Sequence, residues 1–173
     1  MTPARTVVAA AFAGAVVLCG AACASSPPGP SNNTVFVIGK CFDPTQPPQE
    51  RPARFAYNCD QTGVVQDITW TSWGAAGANG TGTDNSVDCQ PNCAQGHHLV
   101  NPVAVHAWNP KPPTNSACPK GVQFYSDLTI AYPNGAPPWI KPGTTWTSGT
   151  DFVTVDGKPA VHFSGLLPNC EPR

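Results

Sequence analysis

Charged side chains are scarce in this 173-residue chain: Asp, Glu, Lys and Arg make up 11% of it, with 9 basic against 10 acidic. No basic stripe is there to follow a phosphate backbone, so nucleic acid is not an expected partner. After residue 30 no apolar repeat at i, i+3, i+4 and i+7 is sustained, and helix is expected to be rare. There is no internal repeat of fixed period, no Gly-x-Ser-x-Gly elbow and no His-Glu-x-x-His pair, the signatures of solenoids, α/β hydrolases and zinc peptidases. What is present instead is 21 Pro, 16 Gly and an apolar fraction of 40%. That balance suits a loop-rich β domain and is too apolar for simple disorder.

The chain opens MTPARTVVAAAFAGAVVLCGAACASSPPGP, with one charge at Arg5 and then an uncharged apolar run from Val7 to Ala22. The run is short for a spanning helix, which takes about 20 apolar residues, and small residues follow it, so it reads as an export signal. Gly20-Ala21-Ala22-Cys23 resembles a bacterial lipobox, which makes Cys23 the candidate for lipidation; Leu18 is too large to precede a lipidated Cys19. Cleavage after Ala24 by ordinary signal peptidase, with full secretion, is the alternative. The expected organisation is a signal peptide at 1–22, a Ser/Pro-rich tether at 23–33 and one β domain at 34–173. Anchoring to the membrane through the N-terminal lipid follows from the first reading. Loss of Arg5 leaves 8 basic against 10 acidic side chains, a mature charge near −2.

Several stretches alternate with period two, as half-buried strands do. In VQFYSDLTIAY, Val122, Phe124, Leu128, Ile130 and Tyr132 share one face; Gln123, Tyr125, Asp127 and Thr129 share the other. VVQDITW groups Val64, Ile68 and Trp70, and PVAVHAW sets Val103, Val105 and Ala107 against His106 and Trp108. Shorter strands are expected in TVFVIG and RFAYN. DFVTVDGKPAVHF reads as a hairpin turned by Asp156-Gly157, with Phe152 facing Val161. Pro159 places its strand at a sheet edge or marks the strand's start. The segments GAAGANGTGTDNS, NPKPPTNSACP, YPNGAPPW and KPGTT read as loops. Seven or so short strands of this kind predict an all-β fold, an antiparallel β-sandwich or open barrel, held by disulfides.

CQPNCAQGHH, residues 89–98, sets two cysteines four apart before two adjacent histidines. Zinc would need thiolates kept reduced outside the cytoplasm, where bridges form and persist, so a stapled turn is the favoured reading. His97 and His98 are then exposed, entering the next strand. Either cleavage route leaves Cys41, Cys59, Cys89, Cys93, Cys118 and Cys170, and six cysteines allow fifteen pairings. Joining Cys59 to Cys89 or Cys93 would close a loop of about thirty residues, worth about 3 kcal/mol of chain entropy. A Cys118 or Cys41 bridge to Cys170 would pin the C-terminal end. The order Cys59, Trp70, Cys89/Cys93 has an analogue in immunoglobulin domains, where a tryptophan packs on an inter-sheet bridge.

Between residues 57 and 108 five short motifs follow one another: Cys59-Asp60, Trp70-x-x-Trp73, Gly80-Thr81-Gly82-Thr83, Cys89 to Gly96 as Cys-x-Pro-x-Cys-Ala-x-Gly, and Pro102 to Val105 as Pro-Val-x-Val. In these the chain resembles a family of small exported proteins and lipoproteins of actinobacteria, of mycobacterial type. The likeness continues through FYSDLTIAYP and PAVHF. It implies a cell-envelope location and a shared fold, and brings with it no activity and no catalytic residue.

Five tryptophans in so uncharged a protein point first to a non-enzymatic binding or structural module. Trp70 and Trp73, three apart, are expected on opposite faces of a strand, so that one is core and Trp73 is free to bind. Trp139 and Trp146, in APPWIKPGTTW, are the other candidates. Such aromatics stack on sugar rings or anchor a protein, so a cell-wall glycan or an envelope protein is the expected partner. The bridge-held loop CQPNCAQG also suits a protease inhibitor. An envelope hydrolase would draw on Asp127, His106 and His162. Asp84, Asn85 and Asp88, within residues 80–88, offer oxygens for calcium, against which stands a flexible hairpin loop. No cofactor is called for.

Overall fold

The computed structural model describes residues 34–171. The leader, Cys23 and the tether lie outside the described residues. Nine strands follow in order: β1 (Val35–Ile38), β2 (Phe55–Ala56), β3 (Gly63–Ser72), β4 (Ala78–Asp88), β5 (His97–Lys111), β6 (Val122–Ala131), β7 (Thr144–Thr147), β8 (Thr150–Val155) and β9 (Lys158–Phe163). Among the described residues there is no helix. The strands form one sheet in the order β2-β3-β4-β5-β6-β9-β8-β7, antiparallel throughout that path, with β1 added in parallel to β6. The sheet curls into a half-barrel. The class is the expected one, and of the two architectures left open the single hydrogen-bonded sheet is the open barrel.

Period-two alternation explains β5 directly. Val103, Val105 and Ala107 are buried while Pro102, Ala104 and His106 are exposed. The hairpin of β8 and β9 is also as read: Phe152 pairs with Val161, and Asp156 and Gly157 turn the chain at φ values of 48° and 73°. Strand β9 is no edge strand, since it lies between β6 and β8. Pro159 is tolerated because it stands at the start of β9, before the ladder to β6 begins at Ala160.

Alternation misleads in three strands, each for a local reason. In β3 the register shifts between Gln66 and Thr69, where Asp67 has φ 53°. The bulge moves the pattern by one residue, so Val65 joins Ile68 in the main core and Val64 does not. Residues 78–88, expected to be loop, are β4, eleven residues paired along both edges. Their glycines are there for clearance: a Cβ on Gly80 would meet the Thr69 carbonyl and the Trp70 ring at 2.9 Å, and one on Gly82 the Gln66 carbonyl at 2.8 Å. In β6 neither face of the N-terminal half is left to water. Phe124 packs edge-on to Phe42 in a small cluster with Val37, Val122, Cys118 and Cys170. Tyr125, expected outside, is covered by Phe36 and Trp73 and belongs to the main core with Leu128, Ile130 and Tyr132.

One edge of β6 is shared between two partners. β1 pairs with residues 122–125, β9 with residues 128–131, and between them the Leu166 N–H donates to the Ser126 carbonyl at 2.9 Å. The Leu166 carbonyl then lies where a side chain on Gly39 would have to go.

Three bridges join Cys41 to Cys59, Cys89 to Cys93 and Cys118 to Cys170. The C-terminal end is pinned through Cys118. Of the pairings the sequence left open, a link from Cys59 to Cys89 or Cys93 is not made, because the turn at 89–93 closes on itself and Cys59 takes Cys41. The immunoglobulin analogy ends there. By sequence separation, 52 residues for Cys118–Cys170 against 4 for Cys89–Cys93, the chain-entropy contributions are about 4 and about 2 kcal/mol. The double variant Cys118→Ala/Cys170→Ala is therefore expected to lose more stability in urea unfolding than Cys89→Ala/Cys93→Ala. Equal losses would show that loop closure is not what these bridges contribute.

Candidate functional site

The concave side of the sheet carries a polar knot. Asp84, on the inward face of β4, is fully buried. Tyr57 donates to it at 2.7 Å, Ser86 at 3.0 Å and Tyr132 at 3.2 Å. Tyr57 follows β2 and its ring lies over Gly63, where any Cβ would collide with it. Burial pushes the Asp84 carboxyl above its ordinary 3.8, with the three hydroxyls working against that rise. Burial, together with the neighbouring carboxylate, pushes Tyr57 upward, and burial does the same for Tyr132, so both remain donors. No buried side-chain nitrogen or oxygen among the described residues lacks a partner.

Above the knot opens a cavity of about 690 Å³, within the roughly 300–1,000 Å³ usual for small-molecule sites. Its deep lining is Tyr57, Ser86 and Tyr132, and its apolar wall is Ile140, Phe152, Val161 and Phe163. Trp139 and Trp146 both line it, and Trp146, 64% exposed, stands at the mouth edge-on to Phe152. Lys40, Asp60 and Asp88 add charge. Burial lowers the Lys40 pKa from 10.5, and its Nζ sits 4.7 Å from the centre of the Phe163 ring.

Residues 89–98 border this cavity through Cys89, Gln90 and Cys93. The stapled turn is closed further by Asn92, whose side chain accepts from the Gln95 N–H at 3.0 Å. His97 and His98 are exposed at the start of β5 as read, His97 3.7 Å from Asp88 and His98 2.6 Å from the Asn85 oxygen. Within the described residues no group of three or more His, Cys, Asp and Glu side chains is placed to hold a metal. The calcium set in particular does not converge: Asp84 turns inward to its hydroxyls, Asn85 outward to His98, and the flexible loop set against it is a strand.

Trp73 lies away from the cavity. Because β3 ends at Ser72, Trp73 folds back edge-on to Trp70 at 4.7 Å and to Tyr125 at 5.4 Å, and donates to the Phe36 carbonyl at 3.2 Å. The expected split of Trp70 and Trp73 across two faces does not occur; both are half-buried against one core.

On the convex side the hydrolase candidates meet in part. His162 is 3.3 Å from Asp127, and Trp108 stacks nearly parallel to both His106 and His162, with ring centres 4.7 and 5.3 Å apart. His106 sits beyond Trp108 and bonds Asn79 instead. Burial works against the Asp127 charge, but hydrogen bonds from Ser126, Asn109 and His162 outweigh it and hold its pKa below the ordinary value. Ser126 is buried and donates to Asp127 at 2.7 Å, so the hydroxyl in this cluster is not aimed at an imidazole. The arrangement is a braced surface and lacks an activated nucleophile.

The chain matches no protein-family model, no curated protein and no solved structure.

The buried knot generates a pH signature. A raised folded pKa means that the folded state holds its proton more tightly, so the Asp84 contribution to stability is greatest in acid and declines as pH rises through the window above 3.8. Asp84→Asn does not titrate, and its stability relative to the wild type is expected to improve between about pH 4 and pH 7, measured by urea unfolding at each pH. A constant difference would refute the raised pKa. Tyr57→Phe, which leaves the buried carboxylate one donor short, is expected to cost about 1.5–3 kcal/mol.

Proposed function

We propose that the protein is an exported binding module of the cell envelope, held to the membrane by lipid on Cys23, that takes its ligand into the cavity between the polar knot and Trp146. The observation that carries this reading is the cavity itself: a preformed hollow in a braced sheet, with one aromatic and aliphatic wall, polar groups on the others and a tryptophan exposed at its mouth. The three bridges support an oxidising, extracytoplasmic setting, and the likeness to actinobacterial exported proteins agrees with it. The His162–Asp127 pair on the other side of the sheet has no hydroxyl aimed at its imidazole among the described residues, so this reading rests on the cavity.

Titration with envelope extract and with cell-wall glycan fragments, followed by tryptophan fluorescence, tests the binding role. Trp146→Ala is expected to weaken the response about tenfold, a loss on the scale of an aromatic anchor, while Trp73→Ala alters stability without altering affinity. The reading fails if no fraction shifts the emission, or if the Trp139→Ala/Trp146→Ala variant binds unchanged. For the anchor, Cys23→Ser is expected to move the protein out of the membrane fraction; a wild-type protein found already in the medium would favour cleavage after Ala24.

A further inference from the structure

Among the described residues Lys40 is the single cationic side chain lining the cavity. Its backbone is fixed on both sides, by Gly39 packed under the Leu166 carbonyl and by Cys41 bridged to Cys59. Half-buried, it has no carboxylate within salt-bridge range among the described residues, and its Nζ lies over the Phe163 ring. The acids nearby are otherwise engaged. Asp60 accepts from the Thr62 hydroxyl at 2.7 Å and from its N–H at 3.0 Å, Asp88 lies by His97, and Asp84 holds three hydroxyls behind the cavity wall. An ammonium partly withdrawn from water and left without a counter-charge is an open position for an anion.

The rest of the lining argues for what the anion is attached to. Phe163, over which the ammonium sits, runs into the aliphatic and aromatic wall of Val161, Phe152 and Ile140. The deep polar atoms are the hydroxyls of Tyr57, Ser86 and Tyr132, whose protons are already given to Asp84. A sugar seated against these three would find acceptors but no donors, its other polar partners being Asn58, Thr62, Gln90 and Thr150 elsewhere in the lining, whereas an apolar chain along the Phe163–Phe152 wall gives up no hydrogen bond.

We infer that the cavity takes a small amphiphile, an apolar body carrying one carboxylate, with the carboxylate on Lys40 and the body along Phe163 and Phe152 toward Trp146. This rests on reading the cavity as the binding site. Dodecanoate, dodecanol and dodecyltrimethylammonium, each below its micelle concentration, are the probes, titrated into the purified full chain by calorimetry and tryptophan fluorescence. Dodecanoate is expected to bind about tenfold or more tighter than dodecanol, the scale of one charge-assisted hydrogen bond, and the cationic probe weakest. Lys40→Met keeps the apolar stem. It is expected to abolish the preference for dodecanoate, leaving dodecanol affinity and melting temperature unchanged.

Equal affinity for the acid and the alcohol, or a preference that survives Lys40→Met, overturns the inference. Binding of neutral glycan fragments alone, weakened by Trp146→Ala, also overturns it while the cavity remains the site. If neither the alkyl probes, the glycans nor envelope extract bind, the binding role itself falls, and this inference with it.

Discussion

Asp84 sets a carboxyl group in the interior with no salt-bridge partner among the described residues, and the fold is arranged around satisfying it with hydroxyls. In the sheet β5 separates β4 from β6, yet Asp84 of β4 and Tyr132 at the exit of β6 are hydrogen bonded. That contact is a chord across the concave side, and it closes only if the sheet curls. Tyr57 reaches the same carboxylate from beyond β3, so three separate parts of the chain are tied at one point. An isolated buried carboxylate is costly enough that it must be hydrogen bonded or neutralised. The same group that demands the curvature thus forms the base of the cavity that the curvature creates.

Curvature in turn explains the composition of β4 and β3. A sheet bends where one strand gains a residue or loses a side chain. β3 gains one at Asp67, and β4 loses side chains at Gly80 and Gly82, directly beside the two register shifts. Gly63 belongs to the same logic, since its bare backbone is what lets the Tyr57 ring lie flat enough to reach Asp84.

These are also the places where reading the sequence fell short. β5 and the β8–β9 hairpin were legible because each carries an intact signal, strict alternation in one and Asp-Gly in the other. β4 was not, since Gly-x-Gly-x-Asp-Asn is the composition of a loop, and only contacts with β3 turn it into a strand. The bulge in β3 has no local marker: Asp67 gives no sign of a positive φ until its neighbours are known. Of the cavity, Trp139 and Trp146 were picked out by their rarity and their proline-rich setting. Lys40, Tyr57, Asp84 and Tyr132 were missed as a set, because they are brought together by the curl from positions up to 92 residues apart. The acidic residue that follows Gly80 and Gly82, Asp84, was a hint, and it pointed equally well to a metal.

The bridges complete the division of labour. The strands are held by their ladders, but much of the cavity lining comes from irregular chain: Lys40, the segment at 58–62, the turn at 89–93 and the stretch around Trp139. Loops of this kind lose entropy on ordering unless it is removed in advance. Cys41–Cys59 and Cys89–Cys93 act on these segments, and the first fixes the residue next to Lys40. Cys118–Cys170, by contrast, is buried in the separate cluster under β1 and β6, where it secures the fold. Reduction would therefore act unevenly, freeing the cavity rim through two bridges and removing through the third the largest of the loop-closure contributions to the fold.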